Sequence, residues 1–156
     1  LTNLGHKNSR EAFEVHGLAP GRYELSIDGT VVGEFGSEQL SRHIELQAND
    51  KTPQYQQALK VANLNRDRNS GPVRNLRNEW RLFQSYARAR RDARTDEARA
   101  QVAEMEKRLE GLSERVAGHA AAAKKIEDQI FEVNQPVARK YVLTRVAAPA
   151  EKPVAN

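Results

Sequence analysis

The stretch "GRYELSIDGTVVGEF" (residues 21–35) reads as two strands joined by a tight turn, and it sets the character of the first third of the chain. Tyr23, Leu25 and Ile27 alternate with Glu24, Ser26 and Asp28, the period-two pattern of a strand with one buried face. Asp28-Gly29 separates this run from the next by two residues, the strongest short-range hairpin signal. On the return, "VVGEF" puts Val31 and Phe35 on one side, with Gly33 marking a bulge. Upstream, "FEV" (13–15) is a third strand-like run, and "APGR" places Pro20 and Gly21 at the centre of a turn. The expectation for 1–51 is a three-stranded antiparallel meander. A short helix follows it, capped by Ser37 and running to about Ile44.

From residue 52 the apolar period becomes that of a helix. Thr52-Pro53 supplies an N-cap and a proline at the first helical position, and Tyr55, Ala58, Leu59 and Ala62 form a stripe. "NSGP" (69–72) ends that helix, and Pro72 opens another in which Val73, Leu76, Trp80, Phe83 and Ala87 are spaced 3-4-3-4. The spacing resumes at Ala98 and continues through Val102, Met105, Leu109, Leu112, Val116, His119, Ala123, Ile126, Ile130 and Val133, a coiled-coil pattern. Helices are expected over about 53–69, 72–93 and 96–134 within a helical region 52–136, the last of them roughly 57 Å long. Two arrangements would bury the stripe: a helical hairpin turning at "RTDEA" (94–98), or one continuous helix paired with another chain. The hairpin is favoured because both arms carry the spacing, with Trp80 and Phe83 read as core. The proline of "NQP" (134–136) ends the last helix. "RKYVLTRV" then alternates again, so 137–147 is expected to return as a strand beside the meander, with a Pro/Ala tail over 148–156. The predicted class is α+β, mostly helical: a small antiparallel sheet with a returning C-terminal strand, plus a long helical hairpin.

The 156 residues are polar, with 38% apolar and 29% charged side chains. No run of about 18 apolar residues occurs, so no membrane insertion is expected. The opening "LTNLGHKNSR" has neither a basic nor an apolar signal region, and a start at Leu1 suggests a processed or truncated product. The absence of cysteine excludes disulfides and thiolate chemistry. Net charge is +4, and the stretch from Arg74 to Arg99 carries that whole excess, with eight arginines against four acids. Arg74, Arg77, Arg81, Arg88, Arg90 and Arg91 are the candidate basic patch. A solvated helix face is the simpler reading, and nucleic acid is not the expected partner.

No motif for catalysis emerges. The histidines at 6, 16, 43 and 119 make no i,i+4 pair, so neither a metal site nor a cofactor is expected. His119, at a heptad position, reads as packing. The seven serines lie in no nucleophile elbow, the glycines form no phosphate-cradling loop, and the aromatics are too dispersed for a base-stacking platform. Glu24 and Glu34 face each other across the hairpin as a solvated sheet face.

Four segments in order carry a resemblance: "FEVHGLAPGRYELSIDG" (13–29), "VGEFGSEQL" (32–40), "TPQYQQA" (52–58) and "IEDQIFEVNQPVARKYVL" (126–143). Together they resemble the late, C-terminal part of a branch of bacterial SGNH/GDSL-type hydrolases; the helical middle matches only in character. The resemblance implies a serine ester hydrolase, secreted or periplasmic, whose "G-D-S" and "D-x-x-H" blocks precede this region. Neither block occurs here; "NLGHKNS" (3–9) has a histidine without the aspartate. No catalytic residue carries over. The expected function is a non-catalytic accessory module that packs on a catalytic core or mediates assembly through its helical arm. Its candidate interaction residues are Val102, Met105, Leu109, Leu112, Val116, Ile126 and Ile130. The expected partner is a protein: the missing core, other subunits or a second copy. The alternatives are a stand-alone interaction subunit and, more weakly, binding of nucleic acid or an acidic partner by 74–99.

Overall fold

The computed structural model describes residues 11–147. The predicted tail over 148–156 and the segment carrying His6 and Ser9 lie outside the described residues. The elements are β1 (Ala12–Phe13), β2 (Arg22–Ile27), β3 (Thr30–Gly36), α1 (Ser37–Arg42), β4 (Ile44–Glu45), α2 (Pro53–Ser70), α3 (Pro72–Asp92), α4 (Asp96–Leu109), α5 (Leu112–Val133) and β5 (Tyr141–Arg145). The class is α+β and mostly helical, with a small antiparallel sheet. Contacts divide the chain into two units: the residues up to Leu59 with those from Pro136, and Lys60–Gln135.

In the first unit the strand order is β3-β2-β5, so the returning C-terminal strand pairs with the free edge of β2 and makes β2 the central strand. Its register runs antiparallel from Tyr23↔Arg145 to Ile27↔Tyr141. "FEV" is not part of this sheet. Both edges of β2 are occupied, and β1 instead pairs with β4 through Ala12↔Glu45 and Phe13↔Ile44. At the hairpin tip, Asp28 and Gly29 both have left-handed φ, at 51° and 83°. That is the geometry of a two-residue turn matching the twist of its strands.

The bulge corrects the predicted core. Leu25 pairs with Gly33 and Ser26 with Val31, so Val32 is the extra residue on β3. The slip turns Val32 inward and leaves Val31 exposed. Phe35 still packs on the core because it folds over Gly33, where a Cβ would sit 2.7 Å from its ring. The core comprises Tyr23, Leu25, Ile27, Val32, Leu40, Ile44 and Leu46. Each large aliphatic there contributes about 1.5–3 kcal/mol of burial. The short helix α1 is capped by Gly36 rather than Ser37, with Gln39 Oε1 accepting the Gly36 N–H at 3.0 Å. Before α2, buried Thr52 accepts the Tyr55 N–H at 3.2 Å and donates to Asn49 O at 2.9 Å.

The helices differ from expectation in two ways. The single helix predicted over 96–134 is two. Gly111, with φ 66° and ψ 16°, breaks it between α4 and α5, as glycine does most cheaply among residues. The predicted apolar stripe of α2 is also not the face that packs, and that of α3 packs only at its start, where Val73 and Leu76 are half-buried. On α2, Tyr55, Ala58, Leu59 and Ala62 are all exposed, while Gln57, Val61 and Leu64 are half-buried. On α3, Tyr86 is buried and Asn75, Glu79, Leu82 and Ala89 are half-buried, while Trp80 and Phe83 remain 60% and 42% exposed. Trp80 and Phe83 are therefore not core.

Candidate functional site

The rotation of α3 gives the helical unit its most distinctive surface. At about 100° per residue, its side chains fall into three bands. Asn75, Glu79, Leu82 and Tyr86 form the band packed in the hairpin, where α3 contacts both α4 and α5. About a third of a turn round lies the 3-4-3-4 seam of Val73, Leu76, Trp80, Phe83 and Ala87. A further third of a turn on, Arg74, Arg77, Arg81 and Arg88 fall within about 60° of one another, and all four are exposed.

Two contacts fix which band faces inward. The Tyr86 hydroxyl donates to Glu106 Oε1 at 3.1 Å. Arg115 donates from Nε to Glu79 Oε1 at 2.8 Å and from Nη2 to Glu79 Oε2 at 3.0 Å. This bidentate bond holds the Glu79 carboxyl below its ordinary value and the Arg115 guanidinium above its own. Neither residue stood out in the sequence. The signals were an acid inside an apolar heptad run and an arginine four residues after a glycine, and both have common alternative readings.

Beside the Glu79–Arg115 pair the seam opens into a groove of about 710 Å³. Leu76, Trp80 and Phe83 line it from α3, and Leu109, Leu112 and Val116 from the other arm. The Trp80 and Phe83 rings stack with centroids 5.9 Å apart. Of the predicted interaction residues, Leu109, Leu112 and Val116 meet at this groove. Val102, Met105, Ile126 and Ile130 are half-buried elsewhere along α4 and α5.

The predicted basic patch divides. Arg74, Arg77, Arg81 and Arg88 share the stripe beside the seam, and none makes an ion pair among the described residues. Arg90 and Arg91 lie off it, and Arg91 Nε donates to Asp92 at 2.9 Å. Glu24 and Glu34 are paired across the hairpin as expected, with Glu34 3.5 Å from Arg22. His16 contacts Glu14 at 2.8 Å on an exposed surface, His43 is exposed, and His119 is half-buried on α5. Among the described residues, no group of three His, Cys, Asp or Glu side chains is placed to hold a metal. No helix among them is long and apolar enough to cross a membrane.

No family model matches the chain, and no curated protein does. Among solved structures it is similar to a gut microbial diltiazem-metabolizing enzyme, with 28% sequence identity and a TM-score of 0.65. The match covers 88% of this chain and 34% of that one, so the chain spans about a third of that enzyme's length.

Proposed function

We propose that this chain is the non-catalytic C-terminal module of a longer SGNH/GDSL-like ester hydrolase. In this reading its sheet unit packs on the catalytic core and its helical unit serves assembly. The observation that carries the proposal is the likeness to an enzyme about two and a half times as long, at 28% identity over 88% of this chain. Such a likeness suits an accessory part better than a complete active site. The order of the four family-like segments supports the same reading. The hairpin phrase itself is used for packing and turn geometry, with Tyr23, Leu25 and Ile27 in the core.

The test is hydrolysis of p-nitrophenyl acetate by this chain alone. Turnover no faster than buffer is expected; robust turnover abolished by a serine-directed inhibitor overturns the proposal. Coding sequence upstream of Leu1 is expected to contain both "G-D-S" and "D-x-x-H". A stand-alone interaction subunit is the second reading, favoured by the exposure of Trp80 and Phe83.

A further inference from the structure

We infer that the outer face of α3 is a docking surface for an acidic amphipathic helix of a protein partner. The groove holding Trp80 takes that helix's apolar side chains, and the arginine stripe takes its carboxylates. The inference deepens the assembly role proposed above and rests on that reading. Three observations combine. The 3-4-3-4 seam is the most regular apolar pattern on α3, yet only Val73 and Leu76 of it are half-buried, and α3 packs chiefly through a different band that leaves Trp80 60% exposed. Solvent exposure of a stacked Trp–Phe pair above an apolar groove is costly unless something covers it, and Trp and Arg are the residues that dominate interface energetics. Alongside runs a stripe of four arginines with no ion-pair partner among the described residues.

Charge selects the occupant. A second copy docking antiparallel by this face, about a twofold axis perpendicular to α3, would bring the two arginine stripes to the same side of the seam, and like charges set against each other are unfavourable. The seam from Val73 to Ala87 is about 21 Å long, so a helix of about 15 residues spans it. Such a helix would carry leucines at i, i+3 and i+7 for the groove and glutamates on the adjoining face for the guanidiniums.

The experiment is fluorescence anisotropy with a labelled designed peptide of that pattern. Its controls are a counterpart with lysines in place of the glutamates and a duplex DNA. The acidic peptide is expected to bind, and more weakly as salt rises. Trp80→Ala should weaken binding by about tenfold or more. Arg77→Glu combined with Arg81→Glu should transfer preference to the lysine peptide. That reversal is a gain no loss of folding could produce, and circular dichroism checks that both variants keep their helicity. The inference is overturned if the acidic peptide does not bind, or binds the Trp80 variant equally well. It is also overturned if DNA binds more tightly and indifferently to Trp80, or if sedimentation shows a dimer dissolved by Trp80→Ala. Any of these outcomes leaves the accessory-module proposal standing if p-nitrophenyl acetate is not hydrolysed, so the two failures are distinguishable.

Discussion

Arg115 ties three segments of the helical unit together through Glu79. While its Nε and Nη2 hold the Glu79 carboxylate at 2.8 and 3.0 Å, Nη1 donates to Glu110 O at 2.5 Å and Nη2 to Arg108 O at 3.1 Å. Those carbonyls end α4, where no following turn can satisfy them. One guanidinium therefore caps α4, sits in the first turn of α5 and binds α3. Arg115→Lys replaces a planar fork with a point charge. It is expected to lower the melting temperature of the helical unit nearly as much as Arg115→Ala, and full retention by lysine would show that the charge alone suffices.

The same pair sets a pH dependence. The hydrogen bond from Arg115 holds the Glu79 carboxyl below its ordinary value of 4.5. The unfolded chain therefore takes up this proton first as pH falls. The stabilisation is complete above the unfolded value and is lost as pH drops from there through the folded one. Glu79→Gln lacks this titration. Its melting temperature should fall furthest short of the wild type near neutrality, with the gap closing below about pH 4.5. A gap constant from pH 7 to 3 would assign the difference to something other than this charge.

In the sheet unit, Leu25 is fully buried on the strand hydrogen-bonded on both sides. Leu25→Ala removes aliphatic volume that β3 and β5 cannot close over, because their registers are fixed by β2. A loss of about 3 kcal/mol is expected, read as a lower urea midpoint with unchanged slope. A loss below about 1 kcal/mol would mean that the sheet collapses onto the cavity.

Asp28 does two jobs at the hairpin tip. Its φ of 51° suits only a few residue types, and its carboxylate accepts the Lys140 N–H at 2.8 Å and Arg139 Nη1 at 3.0 Å. Asp28→Gly keeps the turn and loses the anchor, while Asp28→Ala loses both. Thermal melts should rank wild type above Asp28→Gly and that above Asp28→Ala. Equal losses would mean that the turn conformation carries no cost.

What the sequence disclosed followed from strictly local rules. The Asp28-Gly29 turn, the alternation of Tyr23, Leu25 and Ile27, and the return of 141–145 were legible because turn chemistry and period two act over few residues. Where two local rules competed, the outcome was hidden. The bulge at Val32 inverts one strand's faces with no change in composition, since Val31 and Val32 are the same residue type. On α3, the seam of Val73, Leu76, Trp80, Phe83 and Ala87 is the better apolar pattern, but helix rotation also depends on partners. The Tyr86–Glu106 and Glu79–Arg115 bonds connect residues 20 and 36 apart. A pattern within one helix cannot register either, so the exposed groove became visible only with both arms in place.

The chain's single tryptophan makes that exposure directly measurable. With Trp80 60% exposed, its emission should lie near that of a solvated indole and be quenched readily by acrylamide. Binding of the acidic peptide should shift the emission to shorter wavelength. A blue-shifted, quencher-resistant emission in the free chain would mean that the seam is already covered.

Gly111 separates the broken arm from the continuous helix that heptad spacing alone would favour. At φ 66° it occupies the left-handed region, where a Cβ is unfavourable by about 1–2 kcal/mol. If the break is intrinsic, Gly111→Ala destabilises the helical unit by about 1 kcal/mol and leaves its helicity unchanged. If the continuous helix were accessible, alanine would favour it by about 1 kcal/mol instead. Helicity would rise, and Arg115 would lose the end of α4 that it caps. Circular dichroism and urea melts on the one variant distinguish the outcomes by sign: a stabilised, more helical protein would show that the break is a soft joint rather than a fixed feature of the fold.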